Sequence, residues 1–418
     1  MENFGRRHNW NEMTVDEKRG IAYIPLGTAR YDFYGADRHG ANLFGNSLLA
    51  LDARTGKRLW HYQLVHHDLW DYDLPTAPKL LTVKQGGKSI DAVAQPTKQG
   101  FLFVFNRVTG EPLWPIEERP VPKSDVAGEE AWPTQPFPTK PPPFARQSFT
   151  EKDINPYLSD TERDKVREEL KTWRNEGLFT PPSLQGTVSM PGNNGGANWG
   201  SSAVDPTRGT MYIVSKELPM GIKLQIPRPR AQGRGAGKAA PQGPPEQAVA
   251  PPPPLPPLEG GFPRYTAPYD FMLSASGRLS ALGPPWSQLT AYDLNTGTIK
   301  WQVPNGGVAA LEAEGHSDTG AHFPRGGVVV TAGGLIFVAT ASDRKIRAYD
   351  QDNGKVIWEK EIPAGSEGVP AVFQINGRQY LVLCVAAGDG MMTTRFTTSK
   401  EIPPPAAGSY IAFALPKQ

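Results

Sequence analysis

The chain has 418 residues, with 44 Lys and Arg against 42 Asp and Glu, and a formal net charge of +2. That balance gives no electrostatic case for nucleic acid, which needs a clustered basic face, and 10 Trp within a 10% aromatic content argue against wholesale disorder. One cysteine, Cys384, excludes an intrachain disulfide, a Cys-rich zinc site and a CxxCH haem attachment, and no apolar run reaches the roughly 18 residues of a membrane helix.

The start, Met1 to His8, is polar and lacks the apolar core of a signal peptide. Asn9-Trp10 is then followed by Val15-Asp16, Arg19-Gly20 and Tyr23-Ile24, which reads as strand, Asp-started turn, strand. Asn198-Trp199 is followed by Val204-Asp205, Arg208-Gly209 and Tyr212-Ile213 at identical spacings. A second repeat is interleaved with the first. Apolar strands end at Asp52, Asn106, Asp293 and Asp350; Gly56, Gly110, Gly297 and Gly354 follow, and then Trp60, Trp114, Trp301 and Trp358. In such a hairpin the Asp or Asn side chain caps the turn and the glycine supplies a positive φ. The closing Trp packs between neighbouring sheets, as in radial β-repeats.

Between these repeats, His66-His67-Asp68-Leu69-Trp70-Asp71-Tyr72-Asp73 places three carboxylates, two imidazoles and an indole in one short stretch. That composition suits a site loop better than a strand. Adjacent histidines on an extended chain point to opposite sides, so His66 and His67 read as scaffold rather than as a metal pair. Pro96-Thr97-Lys98-Gln99-Gly100 puts Lys98 at the entrance of an apolar strand.

Residues 115–197 are Pro-rich and carry one helix, with Ser159 and Glu162 as a capping box and Val166, Leu170 and Trp173 on one face. Residues 219–264 contain four consecutive prolines and an Arg/Gly/Ala tract, a composition that predicts a disordered or extended loop. Two last hairpins turn at Gly333-Gly334 and Asn376-Gly377. The chain as a whole reads as a single all-β domain, a partial β-propeller of about four to five blades.

The Trp-ended repeats, the HHDLWDYD stretch and the PTKQG segment occur in an order that resembles the dehydrogenases dependent on pyrroloquinoline quinone (PQQ). Lys98, where methanol dehydrogenases carry Arg, resembles the glucose dehydrogenase branch. The resemblance covers nearly the whole chain except residues 219–264, and the HHDLWD-to-Lys combination is its most specific part. It implies an eight-bladed propeller, here lacking its opening blades, and oxidation of a sugar or alcohol with a glucose-like substrate favoured. It also implies a quinone or cytochrome as electron acceptor, and a periplasmic location.

Residue by residue, the resemblance makes Asp71 the catalytic base and Lys98 the cation against the quinone oxygens. Trp10 becomes the floor beneath the cofactor, and Asn198 and Trp199 become contacts from another blade. Thr28 falls where the family commonly has an Asn ligand to calcium, and a neutral hydroxyl is the weaker ligand. Thr28 and Asp71 are the candidate metal residues, with Asp32 a possible substitute. The competing reading is a non-catalytic propeller that binds proteins through its loops, or an inactive fragment. Such a scaffold has no chemical reason to hold Asp71, Lys98 and Trp10 in register.

Overall fold

A computed structural model describes residues 12–226, 258–274, 279–322, 327–366, 368–386 and 408–416. The first Asp-turn hairpin and the first Trp-ended hairpin join in one antiparallel sheet, β1 (Thr14–Asp16), β2 (Ile21–Pro25), β3 (Ser47–Asp52) and β4 (Arg58–Gln63), hydrogen-bonded in chain order. β5 (Lys79–Gln85), β6 (Lys88–Pro96) and β7 (Leu102–Asn106) form the next sheet.

The Pro-rich stretch holds a ribbon of β8 (Ile116–Pro120) and β9 (Thr134–Pro138), the helix α1 (Asp160–Thr172) and the short strand β10 (Thr187–Ser189). The capping box forms as expected: the Ser159 hydroxyl accepts from the Glu162 N–H and the Glu162 carboxylate accepts from the Ser159 N–H. Val166 and Leu170 are buried, and Trp173 packs on the same cluster.

Beyond the insertion come β11 (Ser202–Asp205), β12 (Thr210–Lys216), β13 (Met220–Ile222), β14 (Tyr269–Phe271), β15 (Ser287–Asp293) and β16 (Thr298–Pro304). β11, β12, β15 and β16 make a four-stranded sheet, while β13 lies between β10 and β14 in a small one. The stretch 219–264 therefore begins as a strand, because Met220 and Ile222 are apolar enough to be buried. Its middle, residues 227–257, lies outside the described residues.

After the short helix α2 (Ala309–Ala313), β17 (Val328–Val330), β18 (Leu335–Thr340), β19 (Lys345–Asp350) and β20 (Val356–Glu361) form another four-stranded sheet in chain order. β21 (Ala371–Ile375), β22 (Arg378–Val385) and β23 (Ser409–Ala414) form the last, with three strands.

The leading strands of successive sheets lie side by side: β1 against β5, β5 against β11, and β11 against β17. This radial arrangement sends the outer strands away from a common axis. The outer edges are locked by the predicted tryptophans. A Cβ built on Gly110 would lie 2.7 Å from the Trp60 ring, one on Gly297 2.7 Å from Trp114, and one on Gly354 2.7 Å from Trp301. Each indole thus lies flat on the turn glycine of the following repeat, where no side chain fits. The Trp60 and Trp301 indole N–H groups donate to the Arg107 and Gln351 carbonyls at 3.1 Å. In the turns themselves, Asp52 Oδ1 accepts from Thr55 N at 2.8 Å and Asp350 Oδ1 from Asp352 N at 2.7 Å.

Candidate functional site

The HHDLWDYD stretch is an irregular loop leaving β4, and one carboxylate shapes it. Asp68, fully buried, accepts from the N–H groups of Trp70 (2.8 Å) and Tyr72 (2.7 Å), from Asn46 Nδ2 (2.8 Å) and from the Thr28 hydroxyl. Burial raises its pKa, with these donors pulling the other way. The imidazole of His67, also buried, bridges the Gly40 carbonyl (2.9 Å) and the Glu129 carboxylate (2.8 Å). His67 is therefore scaffold, tying the loop to the insertion, and Trp70 fixes the other side through its indole N–H to the Thr180 carbonyl at 2.7 Å.

So constrained, the chain turns through Asp71 at φ 58, a left-handed conformation uncommon outside glycine. Lys98 comes from the turn between β6 and β7, closed by Gly100 N–H to the Thr97 carbonyl at 3.1 Å. Its side chain is only 4% exposed. The ammonium donates to the Asp71 carbonyl at 2.7 Å and to Asp73 Oδ2 at 2.9 Å, and lies 3.4 Å from Asp71 Oδ1. Asp73 also accepts from Thr28 N–H at 2.6 Å. The resemblance assigned no role to Asp73, which the structure places as the nearest counterion of Lys98.

Burial disfavours the charge on Lys98, but Asp71 and Asp73 outweigh it and hold the pKa above the usual lysine range. Burial pushes the Asp71 carboxyl well above the ordinary carboxylate range; Lys98 opposes the shift and Asp73 adds to it. For Asp73, burial is outweighed by Lys98, Asp71 and Thr28, and its pKa is lowered. The two carboxyls are thus driven apart, Asp73 toward its charged form beside Lys98 and Asp71 toward its protonated one.

The turn 193–199 sits directly on this pair. Ala197 N–H donates to the Thr97 carbonyl at 3.1 Å, and a Cβ on Gly196, at φ +55, would lie 2.1 Å from the Lys98 carbonyl oxygen. Asn193 Nδ2 donates to Asp71 Oδ2 at 3.1 Å. Asn193 and Asn198 are both buried, and the Oδ1 atom of each has no partner. An enclosed acceptor left unmade costs about 1–3 kcal/mol, so two of them beside a buried lysine suit a polar ligand. The sequence singled out Asn198 and not Asn193, whose signal was the Asn193-Asn194 pair just upstream in the same glycine-rich turn. Trp199 is 45% exposed, and Trp10 lies outside the described residues.

PQQ fits this donor and acceptor set: Lys98 would supply a fixed cation for quinone or carboxylate oxygens, and Asn193 and Asn198 offer polar atoms without a partner in the adjoining turn. Calcium finds no free ligand at Thr28. The Thr28 hydroxyl is engaged by Asp68 and Asn46, and no cluster of three His, Cys, Asp or Glu is arranged to hold a metal. Asp32, its pKa raised by burial and by Asp73, does not complete one.

A radial β-sheet fold with a lysine and two carboxyls buried where its sheets meet defines a class, and comparison with known proteins gives its family. Residues 1–381 match the PQQ family model, the glucose/ethanol/alcohol dehydrogenase β-propeller domain, and the chain belongs to that family. It is similar to a probable quinate dehydrogenase (quinone) of Xanthomonas campestris pv. juglandis, with 35% identity over 97% of the chain and 50% of that relative. It is also similar to the quinoprotein glucose dehydrogenase of Escherichia coli K12, with 33% identity over 99% of the chain and 50% of that relative. The chain thus spans about half the length of these relatives. Among solved structures, a europium-containing methanol dehydrogenase shares the fold, with a TM-score of 0.61 and 20% identity over 97% of this chain and 59% of that one. No helix among the described residues is long and apolar enough to cross a membrane.

Proposed function

We propose that the chain carries the acid–base and cationic side of a PQQ-dependent sugar or alcohol dehydrogenase, with a glucose-like substrate favoured. The observation that carries this reading is the meeting of Asp71, Lys98 and Asp73 within 3.4 Å in one buried cluster. PQQ, when bound, supplies the acceptor for the hydride that leaves the hydroxyl-bearing carbon. Asp71, of raised basicity, takes the hydroxyl proton at its carboxylate. Lys98, held by Asp73, presents a charge that needs no reorganisation as negative charge develops. Asn193 orients the Asp71 carboxylate, and Trp10 remains the candidate floor. Calcium plays no part in this account.

This reading takes the chain as part of a propeller, about four to five blades of it, with the remaining blades supplied by the rest of a longer protein. A periplasmic location, with a quinone or cytochrome taking the electrons, goes with this reading. Adding PQQ to the purified protein and following its absorption band tests the cofactor; no spectral change would favour the scaffold reading. With the rest of the propeller supplied, Asp71→Asn should lower turnover by about a hundredfold or more while PQQ stays bound. Near-normal turnover would move the base to another carboxylate.

A further inference from the structure

Lys216 is a second buried lysine beside the site, at 2% exposure, and the reading above leaves it without a role. It ends β12 and holds the 193–199 turn at two points. Its backbone exchanges both hydrogen bonds with Gly196, N–H to carbonyl at 2.9 and 3.0 Å. Its ammonium donates to Asn194 Oδ1 at 3.0 Å. The same oxygen accepts from Asn198 Nδ2 at 3.1 Å.

Donor and acceptor chemistry makes this chain of contacts directional. An ammonium can only donate, so the Asn194 atom facing it must be the carbonyl oxygen. The Asn198 atom facing that oxygen must then be its amide nitrogen. The Asn198 carbonyl oxygen is thereby turned the other way, and it is one of the two enclosed acceptors without a partner. Without the ammonium, either amide could rotate by half a turn with little penalty, and Asn198 would offer a ligand a mixture of donor and acceptor.

We propose that Lys216 is a positioning residue: acting through Asn194, it fixes the carboxamide of Asn198 in the one orientation in which that side chain meets the cofactor. The proposal rests on the PQQ reading above for its ligand, although the relay itself exists in the protein without one. The Lys216 ammonium acts on Asn194, so the effect assigned to it is one on binding and not on proton transfer.

The test uses the purified chain and titrates PQQ against tryptophan fluorescence. Lys216→Met and Asn194→Leu should each weaken the Kd by about tenfold, the effect of losing one charge-assisted hydrogen bond. Asn194→Asp, whose carboxylate accepts from both Lys216 and Asn198, should stay within about threefold of the wild type. Should Lys216→Met fail to fold, the two Asn194 variants decide. Wild-type affinity in Asn194→Leu, or an equal loss in Asn194→Asp and Asn194→Leu, would overturn the proposal. Should the wild-type chain alone fail to bind PQQ, the titration is repeated with the rest of the propeller supplied, where failure would fell the functional reading, and the relay is read from the Asn198 side-chain NH2 signal of asparagine-labelled protein. Slow exchange in the wild type, lost in Asn194→Leu, supports it; identical exchange in both overturns it.

Discussion

Gly196 is the residue on which the site depends most directly. Its backbone is left-handed and its α-carbon lies against the Lys98 carbonyl, so a methyl group would collide with main chain that cannot swing aside. Gly196→Ala should therefore separate the 193–199 turn from Lys98, with a loss of about 2 kcal/mol or more from strain and the displaced contacts. Urea unfolding measures the loss, and PQQ titration should show binding reduced in parallel. Unchanged stability and affinity would mean that the turn is free to move off Lys98. At this scale the sequence was uneven evidence. Asp71 and Lys98 were legible because their neighbours form a recognisable order of residues. Asp73 was visible as a carboxylate, but nothing in its spacing says that its carboxylate is nearer to the Lys98 ammonium than that of Asp71. Lys216 carries no local signal: a lysine closing a strand ordinarily reaches solvent, and only the turn folded over it makes it a buried one.

The unit at the next scale is the hairpin with its tryptophan, and the contacts are not equivalent. Trp60 is buried, covers Gly110 and donates to Arg107, whereas Trp358 is 38% exposed and rests edge-on against Phe413. Trp60→Ala should cost about 3–5 kcal/mol, as for a large aromatic taken from a packed interior, and Trp358→Ala less than half of that. Equal losses in equilibrium unfolding would show that the locks do not depend on the glycine beneath them. Three of the four hairpins were readable because period, cap and turn residue agree; after Asn106 and Gly110 the return segment makes only the Phe105–Pro112 bridge, since proline cannot continue the ladder. β13 was not readable: it is three residues long and joins β10 and β14, which lie far from it in sequence. Composition counts such a strand with the prolines around it.

For the molecule as a whole, the last sheet is where burial is least complete. Phe373, Ile375, Tyr410 and Leu415 are exposed, as is Ile357 of the neighbouring β20; a cavity of about 340 Å³ opens between Trp358, Tyr380 and Phe413, and β23 is an edge strand among the described residues. Exposed apolar side chains along an open edge favour association between copies. Sedimentation velocity over about 1–50 µM should show a weight-average mass that rises with concentration, and Tyr410→Lys should reduce the rise. A monomer at every concentration would contradict this.

The tryptophan locks also differ in the length of chain they close. Trp60 with Gly110, and Trp301 with Gly354, each close a segment of about 50 residues, while Trp114 and Gly297 meet across about 180. The longer closure costs only about 1 kcal/mol more, and the loop it closes contains the insertion and its helix. Trp114 with Gly297 is thus the joint between two segments that each carry a short-range lock of their own. The turn 193–199 meets Asp71 and the turn bearing Lys98 across that same joint. The Asp71–Lys98–Asp73 cluster therefore lies wholly on one side of the joint, and closing the joint is what adds the asparagine side chains to it.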